Sequence, residues 1–211
     1  MKYRKFIIEN YRAIVKPLEI DVSKGIIPLV GVNECGKTTI LQALFCFDCN
    51  NDKINEGRHL KNIMNLYETI DRGPCKITAV IEVSKDKIQS SIEAFILKYR
   101  EEMNTAEKEN DKINEEMNDY DESDEMYATL QNQLKTLGVT YKKHALLLNR
   151  FENLLESVQE AFGRKKLLEL SIIRELAPNN DDKSATGFYF CDLFGDDADL
   201  NGQVCGNIVS H

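Results

Sequence analysis

The sequence lacks a long hydrophobic run, because nowhere among its 211 residues do 18 apolar residues follow one another. A membrane-spanning helix is therefore not expected. The start of the chain offers only a few apolar residues before Glu9, which is too short a stretch for a secretory signal peptide. The six cysteines also lack the spacing of a disulfide framework. We therefore expect reduced thiols and a cytoplasmic protein, with no membrane partner.

An excess of basic residues is also missing, since the formal net charge is −8 at pH 7. Residues 101–127 hold twelve Asp or Glu against two Lys, so this stretch carries about −10 and the remainder about +2. A strongly basic nucleic-acid-binding module is thereby excluded, although the remainder of the chain still allows nucleic-acid contact. The acidic stretch is most simply a solvated helix face, with a docking surface for a basic partner as the alternative.

A glycine-rich stretch with the spacing of a phosphate-binding loop runs from Gly31 to Thr38 and reads GVNECGKT. Gly31 and Gly36 allow the backbone to curl closely, so that amide hydrogens face the phosphates. Lys37 neutralises the β- and γ-phosphates, and Thr38 offers its hydroxyl to Mg²⁺. A helix predicted over residues 38–47 adds the positive end of its dipole. A glycine-rich turn without a ligand is the alternative, but the flanking pattern favours nucleotide binding.

Apolar patterns around this loop predict an α/β fold. Alternation of apolar and polar residues predicts strands over residues 3–9, 17–22 and 76–83. The apolar run 26–30 before the loop predicts a short buried strand. Pro28 within it has no amide hydrogen, so it indicates either a strand end or a position whose amide is not paired. We expect the amino-terminal lobe of a P-loop NTPase, with a mixed sheet, over residues 1–84.

Two long stretches follow a heptad pattern. The positions at which two coiled-coil helices would pack against each other, called seam positions, recur at alternating steps of four and three residues. They do so over residues 92–120 and again over 130–162. This period predicts two coiled-coil helices, and the polar stretch 121–126 predicts a reversal between them. We expect an antiparallel coiled-coil hairpin over residues 85–165, with arms of about 33 residues that reach roughly 50 Å.

Polar residues on the seam and after the first helix are weaker signals. Asn110 and His144 are most simply register-setting polar residues, with a ligand or switch role for His144 as the alternative. Arg58 and His59 follow the helix after the glycine-rich loop, where a substrate or nucleotide contact is an open alternative.

One Cys-x-x-Cys pair, Cys46 and Cys49, raises the question of a metal site. Cys35 or Cys75 would have to join the pair, and nothing in their spacing indicates that they do. Structural thiols are the simpler interpretation.

After the hairpin, residues 166–211 are expected to return to the globular part of the chain, which we call the head, and to form an incomplete carboxy-terminal lobe there. The sequence predicts a loop over 177–187, a strand over 188–194 and a tail rich in Gly and Asp.

The stretch FIIENYRAIVKPLEIDVSKGIIPLVGVNECGKTTILQAL, residues 6–44, resembles the opening of SMC-like, RecF-like and OLD-type ABC ATPases. Those proteins begin with a strand, an Asn-aromatic-Arg turn, a second strand, the phosphate loop and a helix. The resemblance implies ATP and Mg²⁺ as cofactors, and it places Arg12 near the phosphates, with a surface turn arginine as the alternative. It also implies helical arms between two halves of a head. The predicted cofactor-binding residues are Arg12, Gly31, Asn33, Glu34, Cys35, Gly36, Lys37, Thr38 and Thr39, and the predicted metal ligand is Thr38.

Hydrolysis in the resembled family needs a second half with a Leu-Ser-Gly-Gly-type signature and a strand that ends in Asp-Glu. We find no signature. The run FYFCD ends in Asp192, but Leu193 replaces the glutamate, so an ordinary strand is the simpler interpretation than a metal site. The catalytic residues stay unknown, and we expect an amino-terminal half, which would be a fragment, a truncated reading frame or one piece of a split ATPase.

Two function classes follow from these patterns. The first is the ATP-binding head segment of an SMC/OLD-like ATPase in DNA repair or anti-phage defence, not hydrolytic alone. Its expected partners are the missing lobe or a second subunit in a head-to-head dimer, and further DNA or an effector protein. The second is a non-catalytic, nucleotide-regulated coiled-coil interaction protein.

Overall fold

Five strands form one sheet in a computed structural model that describes residues 1–32, 36–50, 74–178 and 185–210. The strands are β1 Lys2–Glu9, β2 Leu18–Asp21, β3 Cys75–Ser84, β4 Leu167–Pro178 and β5 Ala185–Phe190. Their order in the sheet is β2-β1-β3-β4-β5, and every neighbouring pair is antiparallel. The central position of β3 agrees with its sequence, because Ile77, Ala79, Ile81 and Val83 alternate along it and are fully buried.

Four helices and one 3₁₀ turn complete the described elements. The helices are α1 Lys37–Phe47, α2 Lys85–Met117, α3 Glu125–Phe162 and α4 Ala198–Ser210, and the 3₁₀ turn is Asp192–Phe194. The chain divides into two compact units, Met1–Ile88 with Ala161–His211 and, separately, Gln89–Glu160. None of the described helices is both long and apolar enough to cross a membrane.

The predicted mixed sheet is wrong for the described residues, where the sheet is antiparallel throughout. The predicted strand over 26–30 is also not formed. Its side chains are not buried, since Ile26 is 96% exposed and Val30 is 90% exposed. A strand needs a neighbour for its backbone groups, and no described strand lies beside this segment.

Two elements in the last third of the chain were missed or misplaced. Strand β4, the longest of those described, was not predicted, although Leu170, Ile172 and Leu176 alternate along it and are buried. The Gly- and Asp-rich tail contains a helix that was not predicted, α4, which begins after Asp197. The side chain of Asp197 accepts a hydrogen bond of 3.0 Å from the amide of Leu200, which caps the helix.

The predicted strand over 188–194 is correct only in part, since β5 ends at Phe190 and Asp192 begins the 3₁₀ turn. The predicted loop over 177–187 is likewise too long. Strand β4 continues to Pro178 and β5 begins at Ala185, so regular pairing replaces both ends of that loop.

The two long helices contact each other in antiparallel order. The Phe151 ring of α3 stacks on Phe95 and Tyr99 of α2, with centroids 5.1 and 5.7 Å apart. Further along α2, Glu107 accepts a hydrogen bond of 2.9 Å from the hydroxyl of Tyr141. Rising residue numbers in α2 therefore meet falling numbers in α3.

Candidate functional site

A strained turn follows β1 at Asn10-Tyr11-Arg12. Asn10 and Arg12 have φ angles of 53° and 49°, in the left-handed region that non-glycine residues seldom adopt. Tyr11 between them is fully buried, and its hydroxyl lies 3.8 Å from the sulfur of Cys46 in α1. Burial raises the pKa of Tyr11 well above its ordinary value, so the phenol stays protonated. The buried ring holds the turn in its left-handed conformation against the helix.

Arg12 contacts the same helix from the other side of this turn. Its Nη1 donates a hydrogen bond to the side-chain oxygen of Gln42, and its guanidinium lies 5.4 Å from the centroid of the Tyr11 ring. Gln42 is one helical turn beyond Thr38, so Arg12 is placed beside the first turns of α1. Gln42 was not predicted as a site residue, because a glutamine in a helix carries no signal of its own.

The phosphate loop meets α1 at Gly36, which has φ 93° and ψ 6°. Only glycine adopts this conformation without strain, which explains the residue at this position. The helix begins at the next residue, Lys37, so the amides of its first turn and the positive end of its dipole point towards the loop. This arrangement is the one that binds phosphate groups at helix amino termini.

Lys37 folds back over the loop. Its Nζ donates hydrogen bonds to the carbonyl oxygens of Gly31 and Val32, at 2.6 and 2.7 Å. The structure thus brings Gly31, Gly36 and Lys37 together. Asn33, Glu34 and Cys35 lie outside the described residues.

The residues that are described fit a magnesium-bound polyphosphate. The ammonium group of Lys37 supplies a positive charge at the loop, and Thr38 is exposed at the first turn of α1. Within the described ranges no group of three or more His, Cys, Asp or Glu could hold a metal. When a nucleotide is bound, the Thr38 hydroxyl would hold Mg²⁺ together with phosphate oxygens, which is the usual way that proteins bind this ion with nucleotides.

The other candidate residues do not form a second site among the residues described. Cys46 and Cys75 are buried thiols, and burial raises the pKa of the Cys75 thiol to about 12, so it is a poor metal ligand. His144 lies in the arm, with its Nε2 3.4 Å from a carboxylate oxygen of Glu102. Arg58 and His59 lie outside the described residues.

A left-handed glycine, a lysine folded onto the loop and a helix that begins at that lysine define a P-loop nucleotide-binding domain. The family model of the AAA ATPase domain matches residues 1–189. Because this match spans most of the chain, the chain belongs to the AAA ATPase domain family, whose members bind ATP. No curated protein and no solved structure matches the chain.

Proposed function

We propose that this chain is the ATP-binding head segment of an SMC/OLD-like ATPase, which binds ATP with Mg²⁺ and acts in DNA repair or anti-phage defence. The observation that carries the nucleotide part is the loop itself, in which Lys37 Nζ contacts the carbonyl oxygens of Gly31 and Val32. The finer family assignment is supported by the Asn10-Tyr11-Arg12 turn. That turn packs its tyrosine and its arginine on α1, the helix that carries the phosphate loop.

The described residues of the nucleotide site have separate roles in this binding. Lys37 neutralises charge on the β- and γ-phosphates, and the first-turn amides of α1 donate to phosphate oxygens. Thr38 holds the metal. Arg12 adds a second positive charge from the turn after β1. Mg²⁺, when bound, neutralises the phosphates further and orients them.

We further propose that this segment does not hydrolyse ATP alone. The loop contacts stabilise the bound ground state and the transition state alike, which gives affinity but little acceleration. Turnover also needs a group that orients water and further donors to the γ-phosphate. The sequence has Leu193 after Asp192, where the resembled family has its glutamate.

A second lobe or subunit is the proposed partner, and an exposed apolar surface supports it. Ile26, Val30 and Val32 are 96%, 90% and 79% exposed, directly before the loop. On the helix after the loop, Leu41 and Phe45 are also exposed on one face. Apolar side chains on both sides of a binding loop are typical of a surface that another sheet or domain covers.

The arm supports a second candidate function, a nucleotide-regulated interaction protein. We propose that α2 and α3 form an antiparallel coiled-coil hairpin, which the heptad period and the Phe95–Phe151–Tyr99 stacking support. The charge of about −10 over residues 101–127 favours a basic partner for this arm. In this alternative, ATP would regulate the interaction without being consumed.

Calorimetry with ATP and Mg²⁺ tests the nucleotide site. We expect the wild-type chain to bind in the micromolar range and Lys37→Ala to give no binding heat. Lys24→Ala is the matched control, because it removes an exposed lysine from the turn after β2 and leaves the loop intact. Equal binding by the wild type and Lys37→Ala would overturn the site assignment.

A further inference from the structure

The carboxyl end of α1, opposite the phosphate loop, is held by two side chains from the far strands of the sheet. Arg174 of β4 donates from Nη1 to the carbonyl oxygen of Cys46 at 2.6 Å. Tyr189 of β5 donates from its hydroxyl to the carbonyl oxygen of Phe47. Cys46 and Phe47 are the last two residues of α1, so both bonds satisfy carbonyl groups that the helix itself leaves without a partner.

The guanidinium of Arg174 is buried inside this arrangement. The residue is only 1% exposed, and its guanidinium lies 5.3 Å from the centroid of the Tyr189 ring. The Tyr189 ring in turn meets Phe47 edge-on, with centroids 5.8 Å apart. Arg174, Tyr189 and the end of α1 therefore form one packed unit, which we call the helix clamp.

Gly187 provides the space for the clamp. A Cβ atom at this position would lie 2.4 Å from Nη2 of Arg174 and 2.6 Å from its Nε. The φ angle of Gly187 does not require glycine, so the close approach of the guanidinium explains the residue.

Electrostatics favour a cation at this place. The carboxyl end of a helix carries a partial negative charge, and a buried positive charge beside it is stabilised. Burial of an arginine is otherwise unfavourable, and an apolar residue would continue the alternation of Leu170, Ile172 and Leu176 along β4. The arginine at this inward position is therefore explained by its contact with α1 and not by general packing.

The opposite end of the same helix carries Lys37 and Thr38. Helix α1 has 11 residues, so it is about 16 Å long and transmits a displacement of one end to the other. We infer that Arg174, supported by Tyr189, is a positioning residue of the nucleotide site, which holds α1 and with it the phosphate loop in place for ATP. The ligand in this inference rests on the proposed function, whereas the effect on α1 does not.

The test combines two measurements on the full chain, hydrogen exchange over residues 37–47 without nucleotide and calorimetry with ATP and Mg²⁺. We expect Arg174→Met to accelerate exchange in α1 and to weaken ATP binding about tenfold, the scale of one buried charge at a helix end. Arg174→Lys keeps the positive charge, so its exchange rate in α1 and its ATP affinity should both lie between those of Arg174→Met and the wild type. Tyr189→Phe keeps the ring and removes one donor, so we expect a smaller loss in the same direction.

Two further variants keep the inference falsifiable if Arg174→Met does not fold. Gly187→Ala leaves both clamp residues in the sequence and displaces the guanidinium, so it should reproduce the effects of Arg174→Met. Val158→Ala is the stability control, because it leaves a cavity where the buried Val158 side chain of α3 packs and changes no residue of the helix clamp.

The outcomes separate this inference from the nucleotide proposal. The inference is supported if Lys37→Ala loses its binding heat with unchanged exchange in α1, while the clamp variants show both faster exchange in α1 and weaker ATP binding. Clamp variants that bind ATP as Val158→Ala does would overturn it, whatever their exchange. If the wild type gives no binding heat at all, the nucleotide proposal fails. In that case, the inference is also overturned if hydrogen exchange in α1 is no faster in the clamp variants than in Val158→Ala.

Discussion

At the scale of single residues, the strongest constraints surround α1. Gly36 is required by its left-handed backbone, Lys37 closes the loop onto Gly31, and Tyr11 packs beneath the helix. The sequence spacing predicts the first two, because the phosphate loop uses fixed positions. It does not predict what lies beneath the helix, since that depends on contacts between residues far apart in the chain.

Arg12 offers a test of whether the turn after β1 belongs to the nucleotide site. We expect Arg12→Ala to weaken ATP binding about tenfold, the size of one charged contact. Gln42→Ala removes the contact between Arg12 and α1 but keeps the positive charge. Calorimetry should therefore show a smaller loss for Gln42→Ala than for Arg12→Ala. Equal losses would mean that Arg12 acts only through Gln42, and wild-type affinity in Arg12→Ala would leave it a surface arginine.

The buried thiol of Cys75 predicts how stability depends on pH. Burial raises the pKa of this thiol to about 12, whereas an unfolded chain has it near 8.5. The unfolded state therefore loses its proton first, so the stabilisation is complete below about pH 8.5 and is lost as the pH rises towards 12.

Urea unfolding at pH 7 and pH 10 measures this effect. We expect the free energy of unfolding to fall on going to pH 10, with about 2 kcal/mol of the fall due to Cys75. In Cys75→Ala the fall should be smaller by about that amount. An equal fall in both proteins would show that the thiol is accessible in the folded state.

At the scale of secondary structure elements, local patterns predict β1, β3 and α1, whose apolar periods are regular. Strand β4 was not predicted because Arg174 interrupts its alternation of apolar residues. The arginine is explained by its hydrogen bond to a carbonyl oxygen of α1, which the sequence does not indicate. Helix α4 was missed because Gly202 and Gly206 reduce its helix propensity, while burial of Leu200, Val204, Cys205 and Ile208 stabilises it. The segment 26–30 shows the opposite case, in which an apolar run forms no strand because no described strand lies beside it.

The arm helices give a prediction at the same scale. Phe151 is fully buried between Phe95 and Tyr99, so we expect Phe151→Ala to destabilise the arm by about 3–5 kcal/mol. Leu146→Ala, on the same helix but at a residue 59% exposed, should change stability by less than about 0.5 kcal/mol. Thermal unfolding followed by the helical circular dichroism signal compares the two. Similar effects of both substitutions would contradict the packing of α2 against α3.

At the scale of the whole molecule, the fold leaves an apolar surface beside the phosphate loop exposed to solvent. Because Ile26 and Val30 are 96% and 90% exposed, replacing both with serine should leave the free energy of unfolding within about 0.5 kcal/mol of the wild type. The same double variant should bind less of a hydrophobic dye such as ANS. A loss of 2 kcal/mol or more would instead show that the segment is packed within this chain.

The central claim for the whole molecule is that this chain binds ATP without turning it over alone. A steady-state phosphate-release assay with ATP and Mg²⁺ tests this most directly, with Lys37→Ala as the reference for background. We expect the wild-type chain to release phosphate no faster than Lys37→Ala, even though only the wild type should give binding heat in calorimetry. Multiple turnovers by the wild type that Lys37→Ala abolishes would contradict it, and Asp192, Asp196 and Asp197 would then be the first candidate catalytic residues to replace.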